Sequence, residues 1–569
     1  GSTDDDVATA LYHSLQLFTL GSPDVADPSW ALSIARFAAP AIAAFAAVHA
    51  VYLLLREEMQ LLGIRFLVRD HVVVAGLGSV GFRLALAFDA AGYRVVAIDR
   101  DAGNPALAGC RERGIAAFAG SAADPALLVR ARLPYARHLI VTCGDDVANL
   151  DITYAASTVT GADGTTLNET LLVHLDDLEL WRMLQAQMLA SPPRSGFRIE
   201  FFNVLDAAAR RLIERHPPFG ELDRPEDAHV LFVGLDEIGE FGLIQIVRRW
   251  QSGGGRERGG LRISVASPDA DGQLARMLER HPELAEVCTL DADTVEIGSA
   301  RFQRGELSCN DPELPTLDAV YVCLPAPTDA LAAALVLRSR PETRSVPMVV
   351  TLWDRRTAVA QLIEEGGGQL HDVAEFAVLD ETLVPDVGVL GTNELLARLR
   401  HEAYIQWERE RGETPATNPS MVPWDELPES LRASNRAFAR GVGQKLAASG
   451  CALVPAAVVN VDELPVVFSA SEVEELAHNE HVRWMNDLLA LGWRPTSGPK
   501  DPIAKLHPQL RPWEELAEVD RERARGSIRA LPGLLARAGF EVFRTDDRAP
   551  EPLPEAAREL GQGVPTSAA

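Results

Sequence analysis

The chain of 569 residues has few of the features that metal sites and nucleic-acid surfaces require. Its six cysteines are scattered without a CxxC pair, which argues against a zinc site and favours a reducing compartment. No run rich in lysine or arginine occurs, and the net charge is -27. Because nucleic-acid binding depends on a basic surface, we expect no nucleic-acid partner.

Familiar catalytic motifs are also missing. The sequence contains neither GxSxG nor HExxH, and its 13 histidines are spread without the spacing of metal ligands. His478 and His481 share one helix face, but no third ligand is evident. A nicotinamide-dependent oxidoreductase would need a substrate domain with a proton donor, and none is indicated. We therefore expect no catalytic residues and no metal site.

The clearest positive signal is a glycine-rich loop between two strands. The apolar run His71–Ala75 predicts a buried strand, and Gly76, Gly78 and Gly81 follow with GxGxxG spacing. A helical stretch then leads to a second strand that ends at Asp99. In this motif the glycines permit a tight turn, approach of a pyrophosphate and close helix packing, while the acid binds a ribose hydroxyl. The stretch predicts a dinucleotide-binding fold.

Residues 71–226 alternate between strands and helices, with six candidate strands, which predicts a parallel sheet. The region resembles the RCK domain (regulator of potassium conductance, TrkA N-terminal type) in its glycine loop, in Asp99, in Gly120-Ser121 and in the segment from Thr142 to Asn149. The resemblance implies a pocket for an adenine nucleotide, NAD(H), ATP or ADP. The predicted nucleotide-binding residues are Gly76, Gly78, Ser79, Val80, Gly81, Asp99, Arg100, Ser121, Thr142 and Asp145.

Four of these positions leave alternatives open. The RCK family usually has an acid where Ser121 stands, which loosens any prediction for the adenine side. Asp145 could cap a helix instead of contacting a ligand. Asp99 favours NAD over NADP, although Arg100 could accommodate a 2′-phosphate. The resemblance also implies a homo-oligomer, at least a dimer.

Residues 227–385 repeat the same order and predict a second, degenerate RCK-like domain. Five strands are predicted, from His229–Val233 to Glu375–Leu379. Asp236 replaces the middle glycine and places a negative charge where pyrophosphate would lie. The second strand ends at Ser267 and not at an acid. We therefore expect this domain to be a structural partner without a nucleotide.

An uncharged stretch near the N-terminus, Phe37–Leu55, is long enough to cross a bilayer as a helix. Acidic residues precede it and arginines follow it, so the positive-inside rule places the following domains in the cytoplasm. The prediction is a single transmembrane helix at 28–58 in the inner (cytoplasmic) membrane of a bacterium, with a linker at 59–70. In the alternative prediction, this helix is buried in a soluble protein.

Residues 1–27 resemble the pore helix and filter of two-helix potassium channels, in which an inner helix and a cytoplasmic nucleotide-binding domain follow in the same order. The TVGYG filter of that family is replaced here by Thr19-Leu20-Gly21-Ser22. Potassium selectivity needs the ring of carbonyl groups that this filter supplies. We therefore expect an extracytoplasmic, pore-helix-like segment without potassium selectivity.

The C-terminal region contains an internal repeat. Asn418–Leu427 aligns with His507–Leu516, and we align His401–Trp407 with His478–Trp484, which leaves about a dozen extra residues in the second copy. The second copy resembles the RyR domain, the repeat of ryanodine receptors. The prediction is a pair of mainly α-helical RyR-like repeats at 386–468 and 469–547, followed by a disordered tail at 548–569.

The second repeat also offers a candidate pocket, in which aromatic side chains would stack on a base or a peptide. The alternative is that its tryptophans pack in a core beside a proline-fixed turn. The candidate pocket residues are His478, Trp484, Trp493, Lys505 and Trp513.

Together these regions predict an α/β protein with two tandem Rossmann-like domains between a membrane helix and an α-helical pair. The expected function is that of a membrane-anchored, nucleotide-sensing regulator or channel-like protein. A soluble scaffold with non-catalytic Rossmann and RyR modules is the alternative.

Overall fold

The structure, a computed structural model, describes most of the chain after residue 68. The chain divides into two compact units, residues 1–69 with 130–132 and residues 70–129 with 133–569. The pore-helix-like segment and the C-terminal tail that the sequence predicts lie outside the described residues. These residues are 30, 34, 37–38, 40–49, 69–159, 170–190, 198–219, 227–251, 260–366, 370–384, 391–456, 458, 466–498, 501 and 504–545.

Only part of the predicted membrane helix at 28–58 can be described. Residues 40–49 are helical, and Phe37, Phe45 and Val48 are exposed. Among the residues that the structure describes, no helix has both the length and the apolar character needed to cross a bilayer. These residues therefore do not support the predicted transmembrane helix.

The first α/β domain follows residue 70. Its strands lie side by side in the order 3-2-1-4-5-6 and all run parallel, which confirms the predicted Rossmann-like sheet. The first strand, VVVA, is completely buried, as expected where helices cover both faces of a sheet. The elements are β1 (Val72–Ala75), α1 (Ser79–Ala90), β2 (Val95–Asp99), α2 (Pro105–Glu112), β3 (Ala116–Ala119), α3 (Pro125–Arg130), β4 (His138–Val141), α4 (Asp146–Thr158), β5 (Thr170–His174), α5 (Leu178–Ala190), β6 (Arg198–Phe202) and α6 (Val204–Arg215).

The second α/β domain has the same parallel sheet with the same strand order. Its third strand, Cys288–Thr294, is absent from the sequence prediction. This strand lies at the edge of the sheet, and its sequence CTLDADT lacks the apolar run of a central strand. The elements are β7 (Ala228–Val233), α7 (Glu237–Gln251), β8 (Leu261–Ser267), α8 (Ala270–Arg280), α9 (Leu284–Val287), β9 (Cys288–Thr294), α10 (Ala300–Gln303), β10 (Ala319–Val322), α11 (Pro327–Arg338), β11 (Met348–Leu352), α12 (Ala358–Glu364), β12 (Val373–Ala377) and α13 (Val378–Thr382).

The two α/β domains exchange helices. The helix α6, which follows the first sheet, packs on α7 and places Leu212 and Ile213 in the core around β7. In return, α13 and the residue after it place Leu379 and Leu383 in the core around β1. Burying each of these side chains contributes about 2 kcal/mol. The exchange therefore joins the two domains through their hydrophobic cores.

The C-terminal region consists of two similar helical repeats that share one core. The strand that ends each repeat pairs antiparallel with the other, with Leu453 opposite Val542. Trp424 and Leu446 of the first repeat lie in the same cluster as Trp513 and Leu535 of the second. The elements are α14 (Thr392–Glu410), α15 (Glu429–Arg440), α16 (Val442–Ala448), β13 (Cys451–Pro455), α17 (Ala470–Ala490), β14 (Arg494–Pro495), β15 (Leu506–His507), α18 (Glu518–Arg529), α19 (Leu531–Arg537) and β16 (Phe540–Arg544).

Equivalent hydrogen bonds correct our alignment of the repeats. The Nε2 atom of His401 lies 2.8 Å from the carbonyl oxygen of Val422, and that of His481 lies 2.8 Å from the carbonyl oxygen of Arg511. Each acceptor directly precedes a Pro-Trp turn. The equivalent of His401 is therefore His481, and its alignment with His478 is wrong.

Paired carboxylates support the same register. The indole N–H of Trp424 donates to Glu394, and that of Trp513 donates to Glu474. The spacing between equivalent residues is 80 from Glu394 to Glu474 and 89 from Trp424 to Trp513. The insertion in the second copy therefore has nine residues, fewer than the sequence alignment predicts.

Candidate nucleotide site in the first domain

The candidate site lies at the carboxyl ends of β1 and β4. These strands are neighbours in the sheet, and β2 lies on the other side of β1. At this point the chain connections run to opposite sides of the sheet, which leaves a crevice where ligands bind in open α/β folds. The glycine loop joins β1 to α1 at this crevice.

Two of the three loop glycines are required by close packing. Gly76 has a φ of 91°, and a Cβ atom there would lie 2.7 Å from the amide nitrogen of Cys143. A Cβ atom on Gly81 would lie 1.8 Å from the carbonyl oxygen of Gly76. At Gly78, by contrast, a Cβ atom would meet nothing within 4 Å. The middle glycine therefore faces the space in which a phosphate would approach the backbone.

The helix that follows the loop presents an uncapped N-terminus. Gly78 is the N-cap residue of α1 and supplies no side-chain hydrogen bond, and the first turn contains no acid. Ser79 is exposed, whereas Val80 packs against the domain core. Free N–H groups and the positive end of the helix dipole can hold an anion at this point.

Asp99 fixes the loop from the end of β2. Its Oδ2 atom accepts a hydrogen bond from the Leu77 amide at 2.7 Å, and its Oδ1 atom accepts one from the Asp101 amide at 2.9 Å. Asn104 donates to the Leu77 carbonyl oxygen at 3.2 Å. Sequence reasoning missed the role of Asn104, although an Asx residue in the loop after the second strand was its signal. Arg100 is exposed beside Asp99.

Thr142 and Asn149 hold the loop from the β4 side. The Thr142 hydroxyl donates to the Gly76 carbonyl oxygen at 3.0 Å. The amide of Asn149, which is completely buried, accepts from the Cys143 amide at 2.8 Å and donates to the carbonyl oxygens of Cys143 and His174 at 2.9 Å each. Thr142 is thus a residue that positions the loop, and Asn149 joins the ends of β4 and β5.

The remaining predicted residues lie at neighbouring strand ends. Ser121 is exposed and follows Gly120, whose amide donates to the carbonyl oxygen of Asp99. Asp145 caps α4 by accepting from the Val147 amide at 3.1 Å, as the capping alternative predicts. Burial raises the pKa of the Cys143 thiol to about 11, which keeps it protonated at neutral pH.

The equivalent place in the second domain already contains a carboxylate. The Oδ1 atom of Asp236 accepts a hydrogen bond from the Gly239 amide at 2.9 Å, at the start of α7. Burial raises the pKa of Asp236, and the first turn carries two further acids, Glu237 and Glu240. The side chain therefore takes the hydrogen bond that a phosphate would take. A second anion at this helix would meet like charge.

The aromatic residues predicted in the second repeat do lie together. The ring centroids of His478 and Trp513 are 5.8 Å apart, and Trp484 and Trp493 lie 5.0 and 6.0 Å from His507. Trp513 and Trp493 are 5 and 9% exposed, which agrees with core packing. Lys505 donates to the Leu491 carbonyl oxygen at 2.8 Å. Sequence reasoning left His507 out of this cluster.

The strand order and the glycine loop define a Rossmann-like domain, and of its two copies only the first keeps a glycine at the middle position of the loop, where the second has Asp236. Residues 72–171 match the family model of the TrkA-N domain. The prediction of a TrkA-N (RCK-type) domain is therefore confirmed for these residues. No curated protein matches the chain. Within the described residues, no group of three or more His, Cys, Asp or Glu side chains could hold a metal ion.

Several solved structures are similar at low identity. The GsuK channel bound to NAD is 10% identical, with 83% of this chain and 84% of that chain covered and a TM-score of 0.36. GsuK bound to ADP is 12% identical, with coverages of 66 and 87% and a TM-score of 0.34. The human SLO3 gating ring is 10% identical, with coverages of 55 and 82% and a TM-score of 0.31. At these TM-scores the similarities carry no functional argument, and the RyR-like and pore-like assignments stay predictions.

Proposed function

We propose that this chain is a non-catalytic, nucleotide-sensing regulatory protein that binds an adenine nucleotide in its first RCK-like domain. The observation that carries the proposal is the contrast between the two copies of one fold. In the first copy, Gly78 opens an uncapped and acid-free helix N-terminus. In the second copy, the Asp236 carboxylate occupies the equivalent position. The phosphates would lie on the first loop, where the helix dipole favours negative charge.

The neighbouring strand ends would hold the rest of the nucleotide. Asp99 keeps lone pairs on both carboxylate oxygens after accepting from Leu77 and Asp101, so it can still accept from a ribose hydroxyl. A 2′-phosphate would meet the Asp99 charge, and NAD is therefore preferred to NADP, with Arg100 as the opposing factor. Ser121 would lie near the adenine side. NAD(H), ATP and ADP all carry the phosphates that the loop selects.

The proposal extends to membrane anchoring and self-association. The exposed side chains of Phe37, Phe45 and Val48 suit a helix that contacts lipid or a second copy, with the later domains in the cytoplasm. The two α/β domains pair within one chain, and further pairing between chains would give a homo-oligomer. The competing proposal is a soluble scaffold. Such a protein would stay monodisperse without detergent, so its mass could be measured in buffer alone. A strict monomer in mild detergent would contradict the oligomer.

The proposal predicts that calorimetry with NAD, NADH, ATP and ADP detects one clear binder. Gly78→Asp should abolish this binding, because it copies the carboxylate that the second domain carries at Asp236. The fold should survive, since a Cβ atom at Gly78 meets no neighbour within 4 Å. Gly298→Asp is the matched control, because Gly298 is equally open and lies in the second domain.

Two results would overturn the nucleotide proposal. The first is an absence of heat for all four nucleotides with the wild-type chain at millimolar ligand. The second is equal affinity in the wild type and Gly78→Asp, which would place the ligand elsewhere. Either result would favour the scaffold.

A further inference from the structure

Arg83 links the helix of the nucleotide site to the second domain. It follows the glycine loop on α1, and its Nη1 atom donates to Asp380 Oδ1 at 2.7 Å. Its Nη2 atom pairs with Asp354, two residues after the end of β11. The Arg83 side chain is only 11% exposed. Both bonds are charge-assisted, and the buried guanidinium meets two partly exposed carboxylates, with Asp354 32% and Asp380 27% exposed.

The acidic segment that Arg83 contacts also binds the last helix of the first domain, α6. Asp380 and Glu381 are neighbours on α13, and Glu381 pairs with Arg215, the last residue of α6. Arg355 connects the two acids, since its amide donates to Asp380 at 3.0 Å and its guanidinium to Glu381 at 2.7 Å. Two arginines from the first domain thus bind adjacent acids of one short helix.

Among the residues that the structure describes, this short helix is the last element before the C-terminal pair. It ends at Thr382, and the described chain resumes at Gly391, just before α14. A Cβ atom on Gly391 would lie 2.1 Å from Glu200 on β6, so α14 begins against the first domain. Only a few residues of chain therefore separate α13 from the helical repeats, so a displacement of α13 would act close to them.

We propose that Arg83 is a positioning residue that transmits occupancy of the glycine loop to α13 and, through it, to the C-terminal repeats. The inference rests on the proposed function, since it needs a phosphate at the start of α1. A bound phosphate pulls on the N–H groups of this helix, and Arg83 moves with the helix against Asp354 and Asp380. The ligand-bound and ligand-free states then differ in this contact, which is the differential interaction that coupling requires.

The first part of the test needs no ligand. Amide hydrogen exchange is measured by mass spectrometry on the full chain of the wild type, Arg83→Gln and Asp380→Asn. Both variants remove one partner of the same contact, so each should speed exchange in residues 378–384 on the order of tenfold. Arg94→Gln is the control, because Arg94 is exposed on the same domain. Unchanged exchange at 378–384 in both variants overturns the inference.

The second part adds ADP and, in a separate arm, NAD. In the wild type, nucleotide should slow exchange in α1 and alter it at 378–384 and in α14. In Arg83→Gln and Asp380→Asn the protection of α1 should remain, whereas the response of 378–384 and α14 should be lost. A full response of these segments in both variants overturns the inference and leaves the nucleotide site intact. If neither nucleotide protects α1 in the wild type, the proposed function falls and the inference falls with it.

Discussion

At the scale of single residues, the two repeats carry opposite charges at one equivalent position. Glu480 stands where the first repeat has Arg400, and its Oε2 atom lies 2.8 Å from the ammonium group of Lys445. Burial alone would raise the pKa of Glu480, but Arg483, Lys445 and Arg400 together lower it to about 2. One buried carboxylate therefore compensates several cations in the core between the repeats.

Glu480→Gln should lower the free energy of unfolding by about 3–5 kcal/mol, because it leaves buried cations without their counter-charge. Glu475→Gln is the matched control, since Glu475 is exposed on the same helix. Urea unfolding at pH 7 measures both. A loss below about 1 kcal/mol for Glu480→Gln, or an equal loss for both variants, would show that the Glu480 charge does not hold this core.

The residue scale also shows what sequence could predict of the site. Gly76, Gly81 and Asp99 were predictable, because their roles follow from a local strand–loop–helix motif. The bonds of Asn104 to Leu77 and of Asn149 to His174 were not, since the parallel sheet and not the local chain brings these partners together. The sequence can show that a polar residue stands in a loop, but it does not show which residue of another strand that side chain will bind.

At the scale of elements, burial decides which strands a sequence reveals. The central strands β1 and β4 are buried on both faces and read as apolar runs, whereas β9 lies at an edge and is only partly buried.

The exchange of α6 and α13 between the domains could not be predicted from the sequence for another reason. An apolar face such as that of Leu212 and Ile213 shows that a helix packs, but not on which domain it packs.

The end of α8 carries a histidine that should make stability depend on pH. His281 caps this helix and is buried, and burial with nearby Arg182, Arg280 and Arg248 lowers its pKa to about 4. The folded state therefore keeps His281 neutral between pH 6.5 and 4, while the unfolded state binds a proton. In this window the chain binds at most about one additional proton when it unfolds. The free energy of unfolding should therefore fall as the pH is lowered from 6.5 to 4.

Urea unfolding across this pH range measures the dependence. His281→Gln should flatten it, because glutamine does not titrate. His371→Gln is the control, since His371 is 82% exposed. If His281→Gln keeps the slope of the wild type, the pH dependence arises from other groups.

At the scale of the whole molecule, the C-terminal pair contacts both α/β domains. Leu189 of α5 lies in the core of the repeats, and the described residue Val458, after β13, lies in the core of the second domain. Arg248 of α7 donates to the Ala456 carbonyl oxygen at 3.2 Å. Its guanidinium also fills the space beside Gly539, where a Cβ atom would lie 2.5 Å from Nη2. A single buried cation thus joins the second domain to the end of α19, where the helix dipole favours positive charge.

Arg248→Met should weaken this attachment, because it keeps most of the side-chain length but removes the donor and the charge. We expect a loss of about 1–3 kcal/mol and earlier unfolding of residues 391–545 than of the α/β domains, measured by hydrogen exchange along a urea series. Arg94→Met changes an exposed residue of the first domain, and in this variant all regions should unfold at the same urea concentration. Coincident unfolding of all regions in Arg248→Met would mean that the shared cores, and not this cation, hold the repeats in place. Signals from the nucleotide site could then reach the repeats over the whole contact surface.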